Sequence, residues 1–410
     1  MKKVDSVLVS EVKAHLKDKI IPFWMKLRDN EFGGYYGYMD YDLQLDQKAS
    51  KGCILNSRIM WFFSNAYQAL GEAGLLENAT HAYEFMKKYC MDHTYGGVYW
   101  MLDYKGQPVE DMKHTYNQAF AIYALSSYYE ASKNEEALTL AMDLFNRIET
   151  GCKDEYGYLE AFDRQWHLID NRKLCDDPHM IAEGKVAQKT MNTILHVLEA
   201  YTELYRVSHK EEVAKCLKVI LNMIEEKIYD PDKKQLDVFF DTKLNSIADM
   251  HSYGHDIEAA WLIDRGAEVL GDKELIEKIK KYTIEIAYKV KEVAFKEFIS
   301  EKGIEVGALN NERFNQEIDE TKIWWVQAET VVGFLNAYEK TGDKTFKEAA
   351  LKEWAYIKEY LIDPREGSEW YWQLSAENKP NTAYPIVEPW KCPYHNGRMC
   401  LEVMRRKVDD

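Results

Sequence analysis

The stretch NSRIMWFFSNAYQALGE, residues 56–72, is apolar around most of its circumference. A helix with that pattern has no face left for solvent and must be buried. Five further stretches share it: YNQAFAIYALSSYYEAS from Tyr116, NTILHVLEAYTELYRVS from Asn192, DIEAAWLIDRGAEVLGD from Asp256, WVQAETVVGFLNAYEKTGD from Trp325 and HNGRMCLEVMRRK from His395. They recur at intervals of roughly 60 to 75 residues, longer than the common solenoid repeats. Between them lie charged segments, among them DSVLVSEVKAHLKDKIIPFWMKL, KEEVAKCLKVILNMIEEKI, ELIEKIKKYTIEIAYKVKEV and TFKEAALKEWAYIKEYLI. Their apolar residues fall at the three-to-four spacing of a one-faced helix. HAYEFMKKY and EEALTLAMDLFNRIE fill the two remaining places. Six buried helices alternating with six polar-faced ones predict an all-α toroid, an inner ring inside an outer ring, built as one domain over residues 1–410.

The connections are of two kinds. An inner helix passes to the next outer one through a short turn such as KTGDK. The return runs through long aromatic segments with paired glycines, NEFGGYYGYMDYD, HTYGGVYWMLDYKG and EYGYLEAFDRQW, which read as short hairpins. All the long loops therefore gather over the N-termini of the inner helices, and that end is expected to hold the site. CDDPHMIAEGK, ahead of the third inner helix, is a candidate mobile lid.

Composition narrows the partners. A formal net charge of −16 without basic runs argues against duplex nucleic acid and anionic membrane, because a phosphate track needs clustered Lys and Arg. Seven scattered cysteines with no CxxC pair argue against a disulfide framework and a thiolate zinc site. HExxH, GxGxxG and GxxxxGK[ST] are absent. No apolar window approaches a membrane span, and Asp5, Ser6 and Ser10 break any signal-like run, so a soluble chain in a reducing, cytoplasmic setting is expected. A monomer or weak homodimer is expected. Aromatics are 13% of the residues, with 28 Tyr and 11 Trp; they suit an aromatic core and equally the flat face of a sugar ring.

The openings of the buried helices carry Arg58, Tyr116, Asn192, His196, His255, Glu258, Trp324, Trp325, Glu329, Trp390 and His395. Each has a plain structural reading: Asp256 as an N-cap, Arg58 as the partner of a buried carboxylate, Trp324 and Trp325 as core. Their coincidence at one end of separate helices favours a site. Glu258 lies three residues after His255 on the same helix face, where it is expected to orient that imidazole.

The blocks KGCILNSRIMWFFS, KTMNTILHVLEAYTELYR, SYGHDIEAAWLI, KIWWVQAETVVGF and VEPWKCPYHNGRMCLEV resemble the cellobiose 2-epimerase branch of the N-acylglucosamine 2-epimerase superfamily, over about residues 15 to 405. The resemblance implies an (α/α)6 barrel and a cofactor-free, metal-free inversion at C2 of the reducing-end sugar of a β-1,4 disaccharide: cellobiose, lactose or mannobiose. It implies that His255 and His395 are the catalytic bases, with Arg58, His196 and Glu258 in support. Tyr116, Asn192, Trp324 or Trp325, Glu329, Trp390 and, on a weaker match, Glu312 are then sugar contacts. Ile194 stands where some relatives place a further histidine, which leaves His196 alone in its block.

The chemistry fits those residue types. Only an open-chain aldehyde acidifies the C2 proton, so one base removes it, a cis-enediolate forms, and a proton returns to the opposite face. Imidazoles, ordinarily near a pKa of about 6.5, suit both roles. Arg58 and His196 are the candidate donors to the oxyanion at O1. The alternatives are an aldose–ketose isomerase on the same fold, a sugar- or protein-binding toroid, and an inverting glycoside hydrolase using two of Glu160, Asp163, Glu258 and Glu329.

Overall fold

The computed structural model describes residues 5–172 and 178–406. Six inner helices run Cys53–Leu70, Thr115–Ser132, Met191–Ser208, Tyr253–Leu270, Trp324–Thr341 and His395–Arg405. Each packs on the next and the sixth returns to the first, which closes the ring. The outer ring begins with Ser6–His15, which continues through a π turn into Ile21–Lys26; Ala73–Phe85, Glu135–Gly151, Glu211–Met223, Lys273–Ala294 and Lys344–Tyr356 follow. The chain is an (α/α)6 barrel. The inner helices are buried along most of their length, as their apolar circumference requires.

Every short turn has one construction. The residue after each of the first five inner helices (Gly71, Lys133, His209, Gly271, Gly342) is left-handed, and its N–H bonds back to the last helical turn. Asn134, Asp272 and Asp343 then cap the following outer helix.

The long returns stack into a rim. The short strand before each inner helix pairs antiparallel with a hairpin of the following return: Lys51–Gly52 with Met101–Leu102, Lys113–His114 with Ala161–Phe162, Lys189–Thr190 with Phe239–Phe240, Met250–Ser252 with Glu312–Phe314, and Lys322–Ile323 with Gln373–Leu374. A bridge between Met39 and Val387 closes the circle. Beneath this rim lies a ring of buried cations. Lys51 meets Asp29 at 2.6 Å, Lys113 meets Asp92 at 3.1 Å, Lys189 meets Asp154 at 2.6 Å, Lys322 meets Asn310 at 2.9 Å, and Lys391 meets Glu369. In the fourth repeat His251 takes the place of the lysine and pairs with Asp256 at 2.8 Å. Four of these lysines meet a carboxylate, whereas Lys322 is held by the Asn310 amide oxygen and the Glu320 carbonyl, so each ammonium keeps a hydrogen-bond partner away from bulk water.

The six cysteines among the described residues are free, and no described helix is long and apolar enough to cross a membrane. Residues 175–177 of the candidate lid lie outside the described residues; Pro178–Ala182 is a short helix.

Candidate active site

Two connected cavities open at the rim. The inner one, about 230 Å³, is lined by Arg58, Tyr116, Asn192, His196, His255, Glu258, Trp324, Trp325, Trp372, Trp390 and His395. The outer one, about 540 Å³, shares Tyr116, Asn192, His255, Trp325, Trp372 and Trp390 with it and adds Glu160, Glu312 and Glu388 among its walls. The structure thus brings together ten of the twelve candidate site residues around the inner cavity. Glu312 lines the outer cavity, and Glu329 sits just behind His395. Asp163 belongs to neither: it bonds the exposed His167 at 2.8 Å.

Three imidazoles face the inner cavity, and each has its Nδ1 held from behind. His255 Nδ1 meets Ser252 Oγ at 2.8 Å, His395 Nδ1 meets Glu329 Oε1 at 2.8 Å, and His196 Nδ1 meets Glu199 Oε2 at 2.9 Å. These bonds leave Nε2 as the nitrogen available to a ligand. Trp325 lies between His255 and His395, its ring 4.7 Å from the first and 5.5 Å from the second. Trp324 packs on Trp372 at 4.8 Å.

The expectations for Glu258, Asp256 and Arg58 need correction. Glu258 does not hold His255. It receives Arg398 Nη2 and lies 4.0 Å from His395 Nδ1, because the ring brings the sixth inner helix to that face of the fourth. Asp256 is not an N-cap: the helix starts at Tyr253, one turn earlier, and the Asp256 carboxylate binds His251 and the Leu236 N–H. Among the described residues Arg58 pairs with no carboxylate. It donates to Tyr116 OH at 2.7 Å and to Trp390 O at 3.4 Å, with its guanidinium 4.1 Å from the Phe120 ring centre and 4.8 Å from that of Tyr394. Hydrogen bonds through its two terminal nitrogens and the aromatic faces hold this cation, and its Nε is left without a protein partner among the described residues.

Arg398, a residue the sequence reading passed over, ties the site together. It is fully buried and donates to Glu199, Glu258, Glu329 and Tyr394 OH, with Nη2 to Glu329 Oε1 at 2.7 Å. A single guanidinium thus fixes the carboxylates behind His196 and His395. The signal was present: Arg398 follows His395 by three residues and Glu199 follows His196 by three, the spacing already read for Glu258. Glu258, Glu329 and His395 also bring ligand atoms within 4.8 Å of one another, but Arg398 bonds both carboxylates, so a metal cation entering there competes with a guanidinium.

The electrostatics are uneven. Burial drives the His255 imidazolium down to about 3, with His196 adding to the effect. Burial, then Arg398 and Arg58, hold His395 well below the ordinary histidine range. Burial raises Glu258 to about 7 against the pull of Arg398, and raises Glu329 as well. Glu199 differs: burial opposes its ionisation, but Arg398 and His196 outweigh it and hold it down to about 2. Arg58 Nε, Asn192 Oδ1 and Trp324 Nε1, all on residues of the inner cavity, are buried without a protein partner. Such atoms call for a polar ligand.

A family model described as N-acylglucosamine 2-epimerase (GlcNAc 2-epimerase) matches residues 34–396. Cellobiose 2-epimerase of Ruminococcus albus is 55% identical over 403 residues, 98% of this chain and 100% of that protein. Cellobiose 2-epimerase of Dictyoglomus turgidum is 44% identical over 98% of this chain and 99% of the relative. The crystal structure of a sugar epimerase from a ruminal bacterium, 54% identical, superposes with a TM-score of 0.92 over 98% of this chain and 100% of that one. Cellobiose 2-epimerase from Bacillus thermoamylovorans, 44% identical, gives 0.90 over 97% and 99%.

Proposed function

The chain belongs to the N-acylglucosamine 2-epimerase family and is an isomerase, and from that premise we propose that it is a cellobiose 2-epimerase, inverting C2 of the reducing-end sugar of β-1,4 disaccharides through a cis-enediolate. The observation that carries the reading is the inner cavity: His255 and His395 flank Trp325 there, each with Nε2 left for substrate, beside the Arg58 guanidinium.

His255, kept neutral by burial and backed by a hydroxyl, is the base that takes the C2 proton in one direction. His395 serves the opposite face. Its proton comes from the cluster behind it, where Glu258 and Glu329, both raised by burial, lie 4.0 and 2.8 Å from Nδ1. The roles exchange when the reaction reverses. Arg58 and His196 donate to the oxyanion that develops at O1. Tyr116, Asn192, Trp324, Trp325 and Trp390 hold the reducing-end ring, with the unpartnered Asn192 Oδ1 and Trp324 Nε1 supplying polar contacts. The outer cavity takes the second sugar. The scheme needs no redox cofactor, since the electrons shifted from C2 to C1 in the enediolate return when C2 is reprotonated, with no net change.

Cellobiose in buffered D2O with EDTA, followed by proton NMR and sugar chromatography, tests this. Glucosyl-mannose carrying deuterium at C2 is the expected product. A ketose product assigns the chain to aldose–ketose isomerisation and free glucose to hydrolysis, and no reaction leaves sugar binding or another sugar as substrate. His255→Ala and His395→Ala are expected to lose turnover, by a factor of about 10³ or more, while keeping the native circular dichroism. Retained epimerisation in either folded variant overturns the two-base assignment.

A further inference from the structure

The fourth repeat breaks a pattern that its neighbours share, and it does so beside His255. Where a rim strand leads into an inner helix, the residue two positions before the helix is a buried lysine in four repeats: Lys51, Lys113, Lys189 and Lys322. In the fourth it is His251, also buried. The residue three positions into the helix fastens the preceding return by accepting a backbone N–H. In the first, second and fifth repeats Asn56 takes that of Tyr35 at 3.0 Å, Gln118 that of Val98 at 2.7 Å and Gln327 that of Leu309 at 3.0 Å. In the fourth, Asp256 takes that of Leu236 at 3.1 Å.

The two changes are matched. Each of those amides also donates to a backbone carbonyl, Asn56 to Gly52, Gln118 to Val98 and Gln327 to Leu309. An ionised carboxylate has nothing to donate, and the second oxygen of Asp256 is turned to His251 Nε2 at 2.8 Å. The acid that a lysine would meet is nevertheless in place. Asp230 makes the same turn as Asp29, Asp92 and Asp154, each accepting the N–H groups two and three residues on. Its described ion pair is with Lys233 at 3.7 Å instead. Fastening the rim therefore does not by itself call for a histidine and a carboxylate here.

What the pair does follows from where it sits. His251 precedes Ser252 and Asp256 follows His255, so their contact ties the rim strand to the first helical turn across Ser252 and His255. His395 and His196 are backed by carboxylates, which can only accept from Nδ1 and so fix Nε2 as the free nitrogen. His255 is backed by the Ser252 hydroxyl at 2.8 Å, a group that can donate or accept. Its placement decides which nitrogen of His255 carries the proton.

Resting on the epimerase reading above, we infer that His251 and Asp256 are positioning residues for His255: their pair holds the Ser252 hydroxyl as the acceptor of the His255 Nδ1–H, so that a bare Nε2 faces C2. His255 is the base that needs such a clamp, because among the described residues no carboxylate meets its Nδ1.

The double variant His251→Lys, Asp256→Asn gives the fourth repeat the residue types of the first, with Asp230 there to receive the ammonium, and is expected to melt close to the wild type. Its kcat on cellobiose is expected to fall about tenfold to a hundredfold, with KM changed by less than about twofold. Cellobiose and glucosyl-mannose are then each followed in D2O. The epimer that His395 deprotonates is expected to take a deuteron back from His395 on the same face, because His255 no longer completes the inversion. Its ratio of exchange to inversion rises about tenfold, and that of the other epimer does not. His255→Ala, which leaves His395 alone, identifies that epimer. Turnover equal to the wild type, or ratios that rise equally or not at all, overturns the inference. Should the double variant fail to fold, Asp256→Asn, which keeps an acceptor for the Leu236 N–H, carries the same test. If the wild type does not epimerise cellobiose, the function reading has failed, and NMR of the histidine ring nitrogens decides the positioning alone. His255, assigned by its loss in His255→Ala, is expected to carry its proton on Nδ1 in the wild type and to populate both tautomers in the variant. The same single tautomer in both proteins rejects the clamp.

Discussion

Arg398 shows how much one side chain can carry. Its guanidinium is the shared counter-charge of Glu199, Glu258 and Glu329. Arg398→Met leaves buried carboxylates unpaired and is expected to cost about 3–5 kcal/mol in urea unfolding. Arg398→Lys keeps the charge but not the fork; it is expected to lose less stability and to lower kcat more than it changes KM, because it loosens the groups behind His395 rather than the sugar contacts. The Glu258, Glu329 and His395 cluster titrates as a unit. Glu258 lies at about 7, so the proton that His395 delivers is lost as pH rises through that value. The kcat/KM profile is expected to fall on its alkaline side from about there, and Glu258→Gln to displace that limb. An alkaline limb unmoved in the variant argues that the acid is not held in this cluster.

At the scale of elements, the repeated short turn makes a controlled comparison. Gly271 has φ +73, and a Cβ placed there meets nothing within 4 Å. Gly271→Ala is therefore expected to cost only the left-handed backbone, about 1 kcal/mol. Gly333 has ordinary helical geometry, but its Cβ would lie 2.4 Å from Ile257 Cγ1 and 2.7 Å from the Ile257 carbonyl oxygen on the neighbouring inner helix. Gly333→Ala is expected to cost about 1–3 kcal/mol or more by forcing the fourth and fifth inner helices apart. Equal losses in the two variants would mean that helix separation is not what Gly333 provides. The helices themselves were legible from periodicity. Their starts were not: the fourth begins at Tyr253 rather than at Asp256, because the rim strand Met250–Ser252 delivers the chain to that point.

At the scale of the whole molecule, the buried charges set an acid limit. Glu199, Glu203 and Glu402 are each held down to about 2 from an ordinary value of 4.5, where guanidinium and other cationic neighbours outweigh burial. Their contribution is fully present above about 4.5 and is lost as pH falls towards 2. Glu160 and Glu258, raised by burial to about 7, act with the opposite sign: their contribution is complete at low pH and is lost as pH rises through that value. The melting temperature is expected to drop steeply between pH 4.5 and 2, and less steeply in Glu203→Gln; a slope unchanged in that variant rejects the assignment. The sequence by itself determined the alternation of buried and one-faced helices, hence the two rings, the end at which the long loops gather and the set of residues at that end, because periodicity and loop length are local properties of the chain. Only the tertiary structure decided which groups touch. Closing the ring brought Glu329 and Arg398, from helices five and six, to His395 and Glu258, took Glu258 away from His255, and gave Arg58 a bed of aromatic faces instead of a carboxylate. Partnerships between helices depend on how the ring closes, and no spacing along one helix records that.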